Sequence, residues 1–406
     1  MRSVAVTGIG LVTPLGLTAG ENLASLRTLG SAIGVLTAYE LDERMCRSVA
    51  QVAEFDVTGE LRFPKSTKFM SRAVLCGMKA ALEAFRAAGL KPGEVTPEEL
   101  GIFAGTGNTC MEAGYLTGPL AYAWADGKER DYKYLGGRAS RMIDRYFSLR
   151  TLANAGVGLL SNELEAKGPN ANYVHSETAS LMAMENAWYD IAEGRCTVAV
   201  AGGYDCLVMP ATHLDFQTRG VLSMTPAACA YRPFDRQRDG IVLGEGAAFL
   251  VLEERGHAER RGARILGEIV AADCRMTSAG ELAEHLVDGR EIDYVVARGF
   301  GTPEDDRAEY ESIEGRLPRV PVTALKSRTG YLGAATGAAE VALGLMAARE
   351  GFIPAVARLG EADAECGLDL VKEEARPLNG RAPVGLFLSG SLAGQVGGIV
   401  VRTGAA

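Results

Sequence analysis

Short apolar segments of strand length alternate with helix-like segments along most of the chain. Val4–Gly8, Gly101–Ala104 and Ala247–Leu252 are such apolar runs, as expected for strands buried on both faces. Between them, the alanine-rich segment Met70–Ala88 has the pattern of an amphipathic helix. The alternation predicts an α/β fold with a mostly buried sheet. The 50 glycines favour close contacts between its helices and strands.

The chain has 406 residues, more than one hydrophobic core usually supports, so we expect two packed halves. The segment Arg255–Gly262 is rich in arginine and glutamate and predicts the connector between them. The halves would then be residues 1–254 and 255–406. A second set of strand and helix signals follows the connector and ends in a hairpin-like pair, Val384–Leu388 and Gly398–Val401.

Composition excludes several classes of function. The net charge of −9 argues against a nucleic-acid partner and gives no support for binding an anionic membrane. The longest apolar runs have strand length, and no targeting segment precedes the first strand, so we expect a cytoplasmic protein. The eight cysteines and four histidines show no metal-ligand spacing. Neither a metal nor a cofactor is expected.

A glycine-rich segment follows the first predicted strand, and we expect it to form a turn over residues 8–16. It resembles the beginning of a dinucleotide-binding fingerprint. However, the third glycine is missing and Pro14 interrupts the expected helix. Nucleotide binding is therefore not expected.

Glu177 lies where a short extended run meets an amphipathic helix. The predicted apolar face of that helix carries Leu181, Met184, Trp188 and Ile191 at helical spacing. Residue 177 would then project from a helix N-terminus, where free N–H groups and the helix dipole favour negative charge. A thiol at this position would be activated as a thiolate, whereas a carboxylate is only stabilised there.

Several stretches together resemble the β-ketoacyl synthase branch of the thiolase-like condensing enzymes. They are Val6–Gly10 with Thr13–Gly16, Lys167–Asn170, Ala201–Gly203, Tyr231–Ala247 and Lys326–Gly330. They occur in the family's order over nearly the whole chain, and the run from Arg232 to Gly246 is hard to obtain by chance. The resemblance implies a thiolase-like fold, in which two similar α/β halves form five layers, αβαβα.

The resemblance also locates the family's catalytic positions. Such enzymes use one cysteine and two histidines to load an acyl group, decarboxylate a malonyl unit and join the two. In this chain the cysteine position is Glu177 and the histidine positions are Arg298 and Tyr331, while the family's lysine is retained as Lys326. Leu392 stands where the family has a gating phenylalanine.

Each replacement removes a chemical step. A carboxylate holds no stable thioester, and without imidazoles no neutral donor pair polarises the malonyl thioester. Arg298 is a permanent cation and cannot act as a base. We therefore expect no catalytic residues at these positions, and a packed ion pair between Glu177 and Arg298 rather than a new acid–base pair.

The first interpretation is a non-catalytic partner subunit that resembles the chain-length factors of type II polyketide synthases. Such a subunit pairs with a cysteine-bearing ketosynthase of the same fold and forms one wall of the acyl tunnel. The family's dimer forms around the strand here at Ala171–Ser176, which would place Tyr173 and His175 near the interface. The tunnel-end residues would be the small, helically spaced side chains of Cys110, Ala113, Gly114 and Thr117, together with Leu392. A glycine-loosened helix that packs against its own core is the alternative for this stretch.

Two other interpretations remain open. One is an enzyme with altered chemistry, either a malonyl-carrier decarboxylase or an acyltransferase. The available thiols would then be Cys110, Cys196 and Cys206, and the hydroxyl to consider would be that of Ser176. The other is a structural homodimer. An acyl carrier protein is acidic and would bind mainly through the ketosynthase partner. Lys65, Lys68 and Arg72 form a small basic cluster that could also contact it.

Overall fold

The computed structural model describes residues 2–28, 30–107, 118–121, 136–137, 139–378, 380 and 382–404. Within these residues the strands form one large mixed sheet and a separate two-stranded sheet. The strands are β1 Val4–Val12, β2 Gly34–Val35, β3 Ser48–Ala50, β4 Leu100–Thr106, β5 Asn170–Val174, β6 Val198–Cys206, β7 Leu243–Glu254, β8 Gly267–Met276, β9 Tyr294–Val296, β10 Pro321–Thr323, β11 Phe352–Ile353, β12 Asp369–Leu370, β13 Arg376–Pro377, β14 Val384–Gly390 and β15 Gln395–Thr403.

The large sheet consists of two halves with the same strand arrangement. The order is β1-β7-β6-β4-β5 in the first half and β8-β15-β14-β9-β10 in the second. In each half the first two pairings are antiparallel and the next two are parallel. Residues Val4–Val6 of β1 pair with Gly267–Ile269 of β8 and join the halves. This repeat confirms the predicted pair of similar α/β halves, which no residue identity reveals.

Helices cover both halves and also lie between them. They are α1 Ala19–Leu26, α2 Arg72–Ala87, α3 Phe147–Arg150, α4 Ala155–Leu164, α5 Ala179–Ala192, α6 Pro210–Thr218, α7 Arg255–Arg260, α8 Ala279–Val287, α9 Pro303–Ile313, α10 Lys326–Thr329 and α11 Thr336–Arg349. Helices α5 and α11 contact both halves of the sheet and share one hydrophobic core with them. Helices α2 and α4 cover the outer face of the first half, and α8 and α9 that of the second. The predicted order of layers, αβαβα, is therefore confirmed.

The first strand is longer than its sequence suggests. The turn predicted over residues 8–16 is wrong for its first part, because β1 continues to Val12. Gly8 and Gly10 face helix α2, and a Cβ atom at either would collide with the backbone of Ala84 or Ala80. These glycines therefore permit a close contact between helix and strand, and they do not form a nucleotide-binding loop.

The charged connector forms the short helix α7. The side chain of Glu254 caps it by accepting hydrogen bonds from the backbone N–H groups of Gly256 and His257. The strands before and after this helix, β7 and β8, lie on the two sides of β1. A boundary between halves at residue 255 is compatible with this arrangement and stays a prediction. In the part of the chain that the structure describes, no helix has the length and hydrophobicity needed to cross a membrane.

The contact between β1 and α2 gives a stability prediction. Gly10→Ala should lower the free energy of unfolding by about 2 to 3 kcal/mol. The added methyl group would collide with the backbone of helix α2 at Ala80, and the helix would have to shift as a whole to relieve that collision. Gly20→Ala is the matched control, since Gly20 lies in helix α1 with open space around it. That change should raise stability by about 0.5 kcal/mol. Denaturant unfolding of both variants measures the difference, and equal stabilities would contradict the proposed contact.

Candidate functional site

Glu177 lies in the turn between strand β5 and helix α5, immediately before the N-cap residue Thr178. Its side chain is fully buried. The predicted apolar face of the helix is confirmed for Leu181, Met184 and Ile191, which are buried, while Trp188 packs at the edge of the same core. The local sequence therefore places a carboxylate at a helix N-terminus inside the protein.

Two cations face the Glu177 carboxylate. The Nη2 atom of Arg298 lies 3.7 Å from Oε2, and the Nζ atom of Lys326 lies 3.6 Å from Oε1. Both distances exceed that of a hydrogen bond, and neither oxygen has a hydrogen-bond partner among the described residues. Lys326 instead donates to Glu340 Oε1 at 2.9 Å and to the carbonyl oxygen of Arg298 at 2.6 Å.

Arg298 is fixed by the loop and helix that follow it. The backbone N–H groups of Arg298 and Gly299 donate to Glu309, and Nη1 donates to Asp305 at 3.0 Å. The guanidinium carbon lies 4.3 Å from the centre of the Phe300 ring. Burial lowers the pKa of Arg298, but the nearby carboxylates, with Glu177 first, outweigh it and raise that pKa. Arg298 therefore remains a cation and cannot accept a proton.

Burial acts in the opposite direction on the carboxyl groups of the site. It raises the pKa of Glu177, although the charges of Arg298 and Lys326 partly oppose it. Burial also raises the pKa of Glu340 to about 8, despite its contact with Lys326. The site therefore holds two cations among carboxyl groups that bind protons more tightly in the folded state than in the unfolded state.

Tyr331 is buried beside this cluster. Its ring lies edge-on to Phe300, with 5.7 Å between the ring centres, and it also contacts Phe216. Burial and the charge of Glu177 raise the pKa of the Tyr331 hydroxyl well above its ordinary value. The residue is therefore a neutral phenol, which can donate a hydrogen bond but does not act as a base.

An open cleft of about 570 Å³ lies next to the cluster. Its lining includes His175, Ser176, Phe216, Tyr331 and Leu392. Leu392 is partly exposed at this cleft, as expected for a residue near an entrance. The Glu177 side chain lies beneath the cleft and is not part of its lining.

The hydrogen bond of the His175 ring is made with Thr178 and not with the neighbouring serine. Thr178 Oγ1 donates to Gln395 Oε1 at 2.6 Å, so the 3.0 Å contact between Thr178 and His175 uses the Nδ1–H group of the histidine as donor. This tautomer leaves Nε2 as the basic nitrogen, but no hydrogen bond between it and Ser176 occurs among the described residues. The arrangement gives no support to Ser176 as a nucleophile.

Two of the thiols that were considered do not resemble nucleophiles either. Cys196 and Cys206 are buried. Burial raises the pKa of Cys196 to about 12, and burial together with Glu245 raises that of Cys206 well above its ordinary value. Among the described residues no group of side chains could hold a metal ion. The tunnel residues Cys110, Ala113, Gly114 and Thr117 lie outside the described residues.

Strand β5 forms an edge of the large sheet. In the described part of the chain it pairs only with β4, which leaves its other side unpaired. Tyr173 packs against the central core, and burial raises its pKa to about 12. Val174 is 48% exposed, and the side-chain oxygen of Asn172 is buried without a hydrogen-bond partner. The exposed Val174 side chain and the unpaired strand edge leave this side of the sheet accessible.

Comparison with known proteins decides the family. The model of the β-ketoacyl synthase N-terminal domain matches residues 1–258, and that of the C-terminal domain matches residues 271–359. The chain belongs to the β-ketoacyl synthase family.

Among its relatives, the chain is 31% identical to the tetracenomycin polyketide synthase ketoacyl synthase alpha subunit of Streptomyces glaucescens, over 92% of this chain and 91% of that protein. It is 30% identical to 3-oxoacyl-[acyl-carrier-protein] synthase 2 of Synechocystis sp., over 93% of this chain and 92% of that protein. Among solved structures, the ishigamide ketosynthase/chain length factor matches with a TM-score of 0.86 and 25% identity over the full length of both chains. These matches establish a thiolase-like ketoacyl synthase fold.

Within this family fold, the structure brings together residues that are far apart in sequence. Glu177, Arg298, Tyr331 and Lys326, identified from the sequence, lie in one cluster. The counter-charges Glu340, Asp305 and Glu309 were missed. The acidic first turn of helix α9 was the available signal for Asp305. Glu340 lies inside helix α11 and carries no such signal.

One of the basic residues proposed for carrier binding has another role. Arg72 donates to Glu245 at 2.8 Å and to the carbonyl oxygen of Val52, so its guanidinium is held within the protein. The prediction that Arg72 contacts a carrier is therefore not supported. Lys65 is exposed, and Lys68 lies 4.7 Å and 5.3 Å from the ring centres of Phe69 and Tyr146.

The raised pKa of Glu340 gives a pH prediction. A carboxyl group whose pKa rises from 4.5 to about 8 on folding binds its proton more tightly in the folded state. The stability it contributes is present below pH 4.5 and is lost as the pH rises towards 8. Glu340→Gln should therefore reduce the fall in unfolding free energy between pH 5 and pH 8.

Urea unfolding at several pH values measures this slope. Glu304→Gln, a change at an exposed position of helix α9, is the control and should leave the slope unchanged. An identical slope for Glu340→Gln and the unaltered protein would contradict the assignment.

Proposed function

We propose that this protein is the chain-length-factor subunit of a heterodimeric type II polyketide β-ketoacyl synthase. It would pair with a cysteine-bearing ketosynthase and support condensation of carrier-bound acyl and malonyl groups. The observation that carries the proposal is the buried Glu177 cluster. The proposed position of the family's nucleophile holds a carboxylate between two cations. Among the described residues that line the adjacent cleft there is no thiol, and His175 supplies the single imidazole.

The comparisons support this proposal at a coarser level. The matched structures include the ishigamide ketosynthase/chain length factor. They also include a complex of a type II acyl-carrier protein with its ketosynthase, and the matched chain of that complex is 23% identical with a TM-score of 0.85. The relatives also include ketoacyl synthase alpha subunits. They agree with a polyketide ketosynthase assembly, and the Glu177 cluster favours the non-catalytic subunit within it.

Strand β5 is the proposed site of pairing with the ketosynthase. Its unpaired edge offers backbone hydrogen-bonding groups to a second strand. Exposed apolar side chains lie nearby, since Val174 and Leu392 line the same cleft and Met276 lies against the loop at Gly394. Burial of these side chains would stabilise the complex by the hydrophobic effect.

The proposed subunit would also shape the acyl tunnel. Cys110, Ala113, Gly114 and Thr117 remain the proposed tunnel-end residues, because their small side chains would leave room for an extended acyl chain. Leu392, at the rim of the cleft, would lie nearer the entrance. The acyl carrier protein would bind mainly through the ketosynthase.

A basic surface on this subunit could contribute to carrier binding. Lys65 and Lys68 lie beside exposed Phe63, and the ring of Phe69 meets that of Tyr146 edge-on at 5.0 Å. Arg145 lies over the same Tyr146 ring. Lysine and arginine side chains that pack on aromatic rings offer both positive charge and apolar surface. Such a surface complements an acidic partner that also carries apolar side chains.

The activity assay tests the proposal directly. The isolated chain should not condense acyl-carrier and malonyl-carrier substrates, whereas its complex with a cysteine-bearing ketosynthase should. Glu177→Cys in the isolated chain should also be inactive, because Arg298 and Tyr331 replace the histidines that assist the nucleophile. Condensation by the isolated protein would contradict the subunit assignment. A gain of activity in the Glu177→Cys variant would show that Arg298 and Tyr331 do not prevent the family's chemistry.

The pairing surface gives a separate prediction. Val174→Asp should weaken the one-to-one complex with the ketosynthase by at least about tenfold, because it places a charge in a desolvated contact. Val35→Asp is the control, since Val35 is also an exposed valine but lies on strand β2, which does not line the cleft beside Val174. Size-exclusion chromatography with light scattering measures the complex, and circular dichroism verifies the fold of each variant. Equal complex formation by both variants would exclude β5 as the pairing edge.

A further inference from the structure

A second cleft, of about 450 Å³, lies at the other end of strand β7 from the Glu177 cluster. Strand β7 begins at Leu243, which forms a β-bridge with Tyr331, and it ends at Glu254, directly before Arg255 of the cleft lining. Twelve residues of extended chain therefore separate the two places. The cleft does not belong to the site described above.

The lining of this cleft is dominated by arginine. Arg255, Arg264 and Arg402 face a single carboxylate, that of Glu268. One oxygen of Glu268 contacts Arg255 Nη1 at 3.1 Å and Arg402 Nη1 at 3.6 Å, so its charge is shared between two guanidinium groups. Arg255 also pairs with Glu259. The lining has a surplus of positive charge on a chain whose net charge is −9.

Arg264 has no counter-charge among the described residues. It is exposed and makes no ion pair or hydrogen bond with them. A second guanidinium lies close behind it, because Arg349 donates to the carbonyl oxygens of Ile265 and Leu266 in the cleft wall. Burial lowers the pKa of Arg349, and the charge of Arg264 lowers it further. Two adjacent cations therefore repel each other here, and an anion between them would relieve that repulsion.

The backbone beside the cleft is closely packed, and a hydroxyl group there lacks a hydrogen-bond partner among the described residues. Arg349 donates to Gly404 as well, and a Cβ atom at residue 404 would collide with Ile265, so these strand ends are closely packed. Thr403 lines the cleft, and its hydroxyl is buried without a partner. A buried hydroxyl without a hydrogen bond is unfavourable, which indicates a ligand or water that completes it.

We propose that this cleft binds a phosphoryl group, either as a free phosphate ion or as part of a small phosphate ester. Guanidinium groups present several parallel N–H donors that match the oxygens of a phosphoryl group, and they retain their charge at all physiological pH values. Arg255 pairs with both Glu268 and Glu259, whereas Arg402 lies 3.6 Å from Glu268 and Arg264 has no ion pair among the described residues. Arg264 and Arg402 are therefore the principal ligands. The volume exceeds what one phosphate ion needs and leaves room for the organic part of an ester. The site does not depend on the subunit role proposed above.

Isothermal titration calorimetry at low ionic strength tests this site, with the protein used in the state in which it purifies. Inorganic phosphate and glycerol 3-phosphate are titrated separately, and at least one should bind with saturation at one site per chain. The tighter of the two identifies the free ion or the ester as the ligand. The double variant Arg264→Ala/Arg402→Ala should weaken binding by about tenfold or more. Glu268→Gln should tighten it by about threefold, because it removes the only carboxylate of the lining.

Arg307→Ala is the matched control. Arg307 is as exposed as the cleft arginines but pairs with Glu311 and Glu365 on helix α9 and the loop at 365, so its removal should not change the affinity. Absence of saturable binding for both ligands would overturn the proposal. Equal affinity of the double variant and the control would also overturn it, since the heat would then come from adventitious ion binding elsewhere.

Discussion

The burial of Glu177 between Arg298 and Lys326 is the interaction on which this site depends. Removing a carboxylate from water costs several kcal/mol, and only nearby opposite charge can offset that cost. Here the first half of the fold supplies the carboxylate, and the second half supplies both cations and their other carboxylate partners. The cluster therefore joins the two halves of the fold.

The packing around residue 177 does not depend on a reactive group at that position. Helix α5 still directs its N-terminus at residue 177, and Ser180 still accepts a hydrogen bond from the backbone of helix α11 at Ala338. The packing needs the small and apolar residues of these helices and does not need a thiol. In the subunit role proposed above, the chain would keep the geometry of a condensing enzyme and contribute a surface and a tunnel wall.

The sequence predicted those features that are local. The strand, turn and helix around Glu177 follow from neighbouring residues, and so does the final hairpin β14–β15. The extension of β1 through Gly8 and Gly10 was missed, because glycine indicates a turn unless the helix packed against it is known. The matching strand orders of the two halves were also invisible, since β9 and β10 have only three residues each. The ion pairs of Glu340, Asp305 and Arg72 could not be predicted either, because they depend on tertiary contacts.

The most direct measurement is intact mass analysis of each subunit after the co-purified complex is incubated with acyl-loaded carrier protein. The account predicts that the acyl mass appears on the cysteine-bearing ketosynthase and that this chain keeps its unmodified mass. An acyl group attached to this chain would contradict the account, because it would demonstrate a nucleophile where a buried carboxylate between two cations should prevent one.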